Sequence, residues 1–428
     1  MKEWVVTKLG NVADFYNGGA WSPDEYVDSG INVVRVTDIS NGTISLDNCK
    51  YLSPASLDKY KKHTLFTGDL IITTVGSHPT QPGSVVGRAA IVPDNVQGAL
   101  LNQNAVRITP SSVFLDKVYL GYLGKSQFFR DYIIQCARGS ANQVRMSIGL
   151  LKEMEIPLPP LPTQCKIASI LSAYDDLIEN NTRRIKILEE MARSLYHEWF
   201  VKFRFPGHGQ VKMVESELGL IPEGWEVRKL EQLGLLARGK SKHRPRNDPS
   251  LFGGIYPFIQ TGEVKEASLY VTNYTQTYND NGLAQSKLWE SGTLLITIAA
   301  NIAETAIINF QACFPDSVVG FVPNTYLVSA EFIKYSIDTL KIRMQNVSKG
   351  TTQDNLSLEK IKIFNFLVPE QEIMQLFISR TNPLFSQMKN LLLKNHNLRQ
   401  TRDLLLPKLI SGEIDVESLD TSTQDVAA

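Results

Sequence analysis

Residues 234–241 read GLLARGKS, which places Gly234, Gly239, Lys240 and Ser241 on the pattern G-x-x-x-x-G-K-[ST]. In that pattern, backbone amides at the mouth of a helix cradle phosphates, while the lysine and the hydroxyl reach the terminal phosphates and magnesium. Such chemistry needs an apolar parallel strand before the loop and a helix after it. The preceding run GWEVRKLEQL is short and strongly polar, unlike a buried parallel strand. On the C-terminal side, Pro245 and Pro249 would interrupt a helix in its first turns. Leu235, Leu236 and Ala237 occupy positions where close approach to phosphate favours small residues, and no apolar strand ends in an Asp suited to hold magnesium. The stretch is therefore expected to be a cationic surface loop carrying Arg238, Lys240, Lys242, Arg244 and Arg246. A P-loop ATPase built on Gly234–Ser241 stands as the competing enzymatic reading.

The elements that position this loop belong to a chain of 428 residues, long enough for two or three domains. Lys plus Arg and Asp plus Glu each total 44, so an argument for a nucleic-acid partner has to be local rather than global. Cys49, Cys136, Cys165 and Cys313 form no C-x-x-C pair, which speaks against a zinc site or a disulfide scaffold. His63, His78 and Asp69 have no spacing suited to a metal or a catalytic triad, and no metal ligands or catalytic residues are assigned. Neither the start of the chain nor the apolar run TLLITIAANIA suggests a signal peptide or a membrane span, so a soluble, cytoplasmic protein is expected.

The chain is written twice. WVVTKLGNVADFYNGG from Trp4 returns as WEVRKLEQLGLLARGK from Trp225, and NVVRVTDI (32–39) returns as PFIQTGEV (257–264), pairing Arg35 with Gln260 and Asp38 with Glu263. GDLIIT (68–73) returns as GTLLIT (292–297), and the block from Gly139 is echoed from Gly350. Four blocks in one order imply a duplicated domain rather than a solenoid. In this alignment Gly239, Lys240 and Ser241 fall on Gly18, Gly19 and Ala20, so the cations are peculiar to the second copy.

Each copy pairs a region of short β-rich stretches and turns with a long helix. From Thr163 to about Phe200, steps of three and four give the seam Ile167, Leu171, Tyr174, Ile178, Asn181, Ile185, Leu188, Ala192, Leu195 and Trp199. From Glu370 to about Leu406, interrupted only by Pro383, the seam is Met374, Phe377, Thr381, Leu384, Met388, Leu391, Asn395, Leu398, Arg402 and Leu405. Run antiparallel with Asn181 facing Asn395, the two seams mesh along their length. The expected fold class is α+β: two similar globular domains joined by two long helices packed as an antiparallel coiled coil, with an internal pseudo-two-fold repeat. The boundaries read as 1–155 and 207–365 for the domains, 156–206 and 366–411 for the helical regions, and 412–428 as an acidic tail expected to be disordered.

Helices opened by IPLPPLPTQ (156–164) and FLVPEQ (366–371), together with GWEVRKL at the second repeat and LLLPKLISGEID (404–415) at its close, make the chain resemble the specificity subunit of type I restriction-modification systems. The resemblance covers nearly the whole chain. It implies two target recognition domains, each reading one half of a bipartite, asymmetric site on double-stranded DNA, with the helices setting the spacer and docking two methyltransferase subunits. S-adenosylmethionine would sit on those partners, and ATP and magnesium on motor-nuclease subunits; this chain would have no cofactor and no catalytic step of its own. In keeping with that, no [ND]-P-P-[YF] segment of an amino methyltransferase is present. A protein-interaction scaffold that never touches DNA is the second rival, with the zero net charge as its best argument.

Candidate DNA contacts follow from residue chemistry. The basic loop suits phosphates or base edges. Arg35, with Thr37 beside it, and Gln260 suit guanine and adenine edges respectively. The polar turns GSANQ, with Ser140, Asn142 and Gln143, and GTTQDN, with Thr351, Thr352 and Gln353, suit either, although as ordinary turn chemistry they need no ligand. Thr73 and Ser77, and Thr297 in the second copy, follow or end the strongest strands. Gln164 and Gln371 recur where the long helices begin and fit capping or hinge roles. Arg183, Arg184, Glu189 and Glu190 lie on exposed helix positions that suit either a methyltransferase or solvent.

Overall fold

The structure is a computed structural model that describes residues 4–40, 42–77, 84–136, 138–140, 143–349 and 356–417. It contains two compact units: Met1–Ile178 with Leu398–Ala428, and Glu179–Asn397. The division falls within both long helices, so each unit holds a globular domain together with a length of helix pair.

In the first unit the central strand Leu70–Thr73, read LIIT, is buried along its whole length because apolar layers cover both faces of its sheet. The four-stranded antiparallel sheet runs Ala89–Ile91, Leu70–Thr73, Ala105–Pro110, Ala13–Asn17. Alternation sends Leu70, Ile72, Val106 and Ile108 to one core, shared with the helices Lys117–Lys125 and Gln127–Cys136, and Ile71, Ala90 and Ala105 to another with Val34, Ile39 and Leu101.

The second unit repeats this plan. Its sheet runs Gly234–Arg238, Val318–Pro323, Leu294–Thr297, Thr305–Ile308, with Tyr270–Val271 added parallel at the far edge. The central strand is LLIT, and Leu294 and Ile296 again part from Leu295 into different cores. A two-stranded ribbon closes each domain where the chain leaves for its helix: Val5–Lys8 with Glu155–Leu158, and Glu226–Lys229 with Asn365–Val368. The helical turn before each ribbon is capped by a matched serine, Ser147 accepting from the Leu150 N–H and Ser357 from the Lys360 N–H.

The long helices span Leu161–Tyr196, extended by a π turn His197–Val201, and Gln371–Ile410 without a break at Pro383. The expected antiparallel register is present. In the second unit Asn181 Nδ2 donates to Asn395 Oδ1 at 2.9 Å, and Asn395 Nδ2 donates to Thr182 Oγ1 at 3.2 Å. Ile185, Leu188, Ala192, Leu384, Met388 and Leu391 share one core there. In the first unit Ile167 and Leu171 pack in one core with Leu409 and Ile410. Asn181→Leu alone should cost about 1–3 kcal/mol, because it leaves a buried amide short of a partner. The double change Asn181→Leu, Asn395→Leu should recover that stability while relaxing the register. Urea denaturation reads the first effect and inter-helix disulfide mapping the second; an unaltered register in the double variant would remove the selecting role of this pair.

Gln164 is buried and ties the first helix to its domain: its Oε1 accepts from the Asp116 N–H at 2.8 Å, and its Nε2 donates to the Phe114 and Pro159 carbonyls, each at 2.8 Å. Gln371 Nε2 makes the counterpart bond to the Tyr326 carbonyl at 2.6 Å. Contrary to the expectation from composition, the tail does not lose structure at 412, since Val416 is buried in the first unit's core and Glu417 accepts from Thr163 Oγ1 at 3.3 Å. Ile414 and Val416, two aliphatic side chains in an acidic run, pack there, and residues 418–428 lie outside the described residues.

Candidate nucleic-acid interface

The phosphate-loop letters fold into something else. Gly234–Arg238 is an edge strand, paired residue by residue with Val319–Pro323. The next two amides are also engaged, Gly239 N–H with the Val318 carbonyl at 2.8 Å and Lys240 N–H with the Phe314 carbonyl at 3.0 Å. Ser241 is buried, its hydroxyl 3.4 Å from that of Tyr278. Beyond Ser241 the chain forms a loop and the single turn Pro249–Leu251 rather than a helix. With the segment laid out as a strand, the Gly239 and Lys240 amides bonded to carbonyls and the Ser241 hydroxyl inside, there is no phosphate cradle, and the ATPase reading is unsupported.

The first unit uses the same turn. Gly18 N–H meets the Ala105 carbonyl at 3.0 Å and Gly19 N–H the Leu101 carbonyl at 2.7 Å. A Cβ on Gly18 would lie 1.8 Å from the Asn102 carbonyl oxygen, and one on Gly239 would lie 2.3 Å from that of Pro315. Glycine at both positions is thus a requirement of close strand approach, and the residues after it are free to differ.

In the second unit they differ by charge. Arg238, Lys240 and Lys242 are exposed, with no ion-pair partner among the described residues. Arg246 is held by Asp316 at 2.7 Å, with Arg244 at 3.8 Å from the same carboxylate. Arg244 also donates to the Ser241 and His243 carbonyls at 2.7 and 2.8 Å, stapling the loop to itself. Gln285 Oε1 accepts from the Lys242 and His243 N–H groups at 2.6 and 3.0 Å, and Ser286 Oγ donates to the Lys240 carbonyl at 2.7 Å. His243 Nε2 lies 2.9 Å from Asp248, whose carboxyl is held below its ordinary pKa first by the Ser250 N–H and then by the Ser250 and His243 side chains. The result is a braced loop presenting three cations, a surface suited to a polyanion.

Other sequence candidates are distributed unevenly. Arg35 and Gln260 do occupy matched positions, each opening a helical turn whose acid, Asp38 or Glu263, accepts its backbone N–H, at 2.9 and 3.1 Å. Arg35 also grips Asp38 with Nε and Nη2 and donates to the Asn48 carbonyl, while Gln260 Nε2 donates to Gln276 at 2.9 Å. In this arrangement Arg35 does not present the free fork that guanine recognition requires. Thr37 likewise donates to Asp38, at 3.1 Å.

Thr73 and Thr297 are corrected outright, being fully buried and turned inward. Their hydroxyls donate to the Val85 and Asn301 carbonyls and accept from the Arg88 and Glu304 N–H groups, each at 3.0 Å. They are matched internal braces for the loops at the ends of their strands. Ser77, by contrast, is half-buried in such a loop, its carbonyl accepting from Ser84 Oγ at 2.7 Å.

The hairpin Arg138–Ser140 with Gln143–Arg145 pairs onto Val75–Gly76, so the two polar turns of the first unit come side by side. Ser140 and Gln143 are placed there by backbone, whereas Asn142, Thr351, Thr352 and Gln353 lie outside the described residues. Sequence reading passed over Arg145, exposed on this hairpin between buried Val144 and Met146. The alternation in QVRM was its available signal. Among the described residues no cluster of His, Cys, Asp and Glu is suited to a metal, and no helix is long and apolar enough to cross a membrane.

Comparison with known proteins places this geometry. The family described as type I restriction modification DNA specificity domain matches residues 1–190 and again 222–394. The MjaIX type I restriction enzyme specificity subunit of Methanocaldococcus jannaschii is 30% identical over 336 residues, covering 74% of this chain and 73% of that one. The HindI specificity subunit of Haemophilus influenzae is 21% identical over 480 residues, covering 97% of this chain and all (100%) of that one. Among solved structures, the type I restriction-modification S subunit from M. genitalium superposes with a TM-score of 0.58 at 16% identity, covering 95% of this chain and 96% of that one.

Proposed function

Since the chain belongs to the type I restriction-modification DNA specificity family, we propose that it is the sequence-reading, non-catalytic subunit of such a complex, each recognition domain contacting one half of a split, asymmetric site on double-stranded DNA. The observation that carries this reading is the shared turn with divergent surface: Gly18 and Gly239 make the same strand approach, but only the second copy carries cations around it, Arg238, Lys240 and Lys242. Duplicated scaffolds with different surfaces suit two different half-sites.

The long helices serve as the spacer between half-sites and as the platform for two methyltransferase subunits, with motor-nuclease subunits joining the complex for cleavage. Methyl transfer from S-adenosylmethionine and ATP hydrolysis with magnesium belong to those partners. The place of action is the cytoplasm, where the chromosome and these partners reside.

The test is to co-express the chain with its methyltransferase subunits and map methylated adenines across the genome. The expected result is one bipartite motif with a constant spacer, and matched insertions in both helices should change the spacer but not the half-sites. A continuous motif, or none, would reject the reading. Duplex binding by the chain should be unaffected by ATP in both wild type and Lys240→Ala.

A further inference from the structure

The first unit contains a cavity of about 630 Å³ where its sheet, its helices Lys117–Lys125 and Gln127–Cys136, and its length of the long-helix pair meet. Four cations line it, Arg88, Lys125, Arg130 and Arg402, against two carboxylates, Asp175 and Asp403. Those carboxylates are already engaged. Asp175 is bound by Arg402 and accepts from the Tyr122 hydroxyl at 2.7 Å, and Asp403 accepts from Arg402 at 2.8 and 3.0 Å. Lys125 comes no closer than 4.0 Å to Asp175, and Arg130 has no ion-pair partner among the described residues. Burial pulls the Lys125 pKa down despite Asp175, the behaviour of an ammonium short of negative charge. Gly42 lines the same space, where a Cβ would lie 3.3 Å from the Lys125 side chain.

The second copy repeats the cluster only in part: alignment of the helix caps takes Arg130 to Arg343, but the remaining members change. The spacing that takes Gln164 to Gln371 takes Asp175 to Asn382 and returns Arg402 to Leu195. Aligning the helix caps Asp116 and Ser329 takes Tyr122 to Tyr335 and Lys125 to Asp338, which is already paired with Lys334 at 2.6 Å. A generic requirement of the fold would recur whole in both units, whereas Lys125, Asp175 and Arg402 have no counterpart of like chemistry in the second.

We propose that the cavity is a phosphate-binding site, in which Lys125 and Arg130 on the domain hold one phosphate group beside Arg402 of the long helix, whose charge Asp175 and Asp403 already meet. The group is either a backbone phosphodiester of bound DNA or a free phosphate or phosphorylated small molecule. Clasping it would couple the first recognition domain to the helix that carries it. The DNA source rests on the function proposed above; the free-phosphate source does not.

The test uses the full chain as wild type, Arg130→Ala and Lys125→Met with Arg130→Ala, titrated with inorganic phosphate by calorimetry and with a random-sequence duplex over a salt series. Arg130 is exposed on its helix, so its replacement leaves the fold intact even if the double variant proves unstable. Phosphate binding that weakens about tenfold in the double variant, as loss of charge-assisted bonds implies, supports the site. A salt slope on duplex reduced by about 0.9 in the double variant, the value for one phosphate, and by no more than that in Arg130→Ala, identifies the DNA backbone as the source. Lost phosphate binding with an unchanged slope identifies a free phosphate. No phosphate binding and no slope change overturns the proposal, and wild-type duplex binding then shows separately whether the DNA reading survives.

Discussion

Replacing Arg238, Lys240 and Lys242 together by Ala lowers the slope of log affinity against log salt concentration by about 2.7, if each cation neutralises one phosphate of the duplex. All three are exposed and without ion-pair partners among the described residues, so their removal leaves no buried carboxylate uncompensated. The loop itself should persist, because its shape comes from Gln285, Ser286 and the Arg244 staple rather than from these three side chains. Phosphate contacts position a protein on DNA without reading it, so the methylated motif should stay the same while occupancy falls. A motif that becomes degenerate at one position would instead assign a base-edge contact to one of the three. An unchanged salt slope would remove this loop from the interface. Arg244→Ala and Arg246→Ala form the contrasting pair: their effect on the slope should be smaller, and Arg244→Ala should loosen the loop, visible as faster proteolysis between Lys240 and Asp248.

Exchanging residues 1–158 for the corresponding domain of a relative should rewrite one half of the methylated motif entirely and leave the other half untouched. The cut is placed after Leu158 because the ribbon Val5–Lys8 with Glu155–Leu158 closes the domain, and dividing that pair would unmake four backbone partnerships. The join to the helix tolerates foreign sequence for a physical reason. Gln164 grips the Asp116 N–H and the Phe114 carbonyl, which are backbone groups that any donor domain supplies. The side-chain bond of Tyr122 to Asp175 is less forgiving, and a graft lacking that tyrosine should lose stability without changing the motif. Genome-wide methylation mapping reads the outcome. Alteration of both halves, or of neither, would refute independent reading by the two domains.

The two cores separate what was readable from what was not. The helix register was legible because each seam carries one asparagine and a single antiparallel alignment buries both amides together, and Asn181 does meet Asn395. The repeat was legible because a duplicated core retains volume and periodicity: LIIT and LLIT occupy the same central strand, Ser147 and Ser357 the same cap. Polar residues at the ends of those strands were not. Thr73 and Thr297 look like surface threonines in a string of letters, and they are internal because later loops bring carbonyls across to them. Arg35 looked free because its partner Asp38 lies three residues on, a separation at which only a turn of the right hand makes contact.

The amino-acid order by itself determined the duplication, the strand and helix periods, the antiparallel helix register and the confinement of the loop cations to one copy, since all of these are properties of spacing along the chain. The tertiary structure alone decided which of the polar residues face outward, that the GLLARGKS segment is an edge strand whose Gly239 and Lys240 amides are taken, and that four cations converge on one cavity. Many of those outcomes depend on partners tens to hundreds of residues away, as Ser241 with Tyr278 and Arg402 with Asp175 do. A hydrogen bond or a desolvated charge is set by what folding brings within about 3 Å, a distance that local periodicity does not encode.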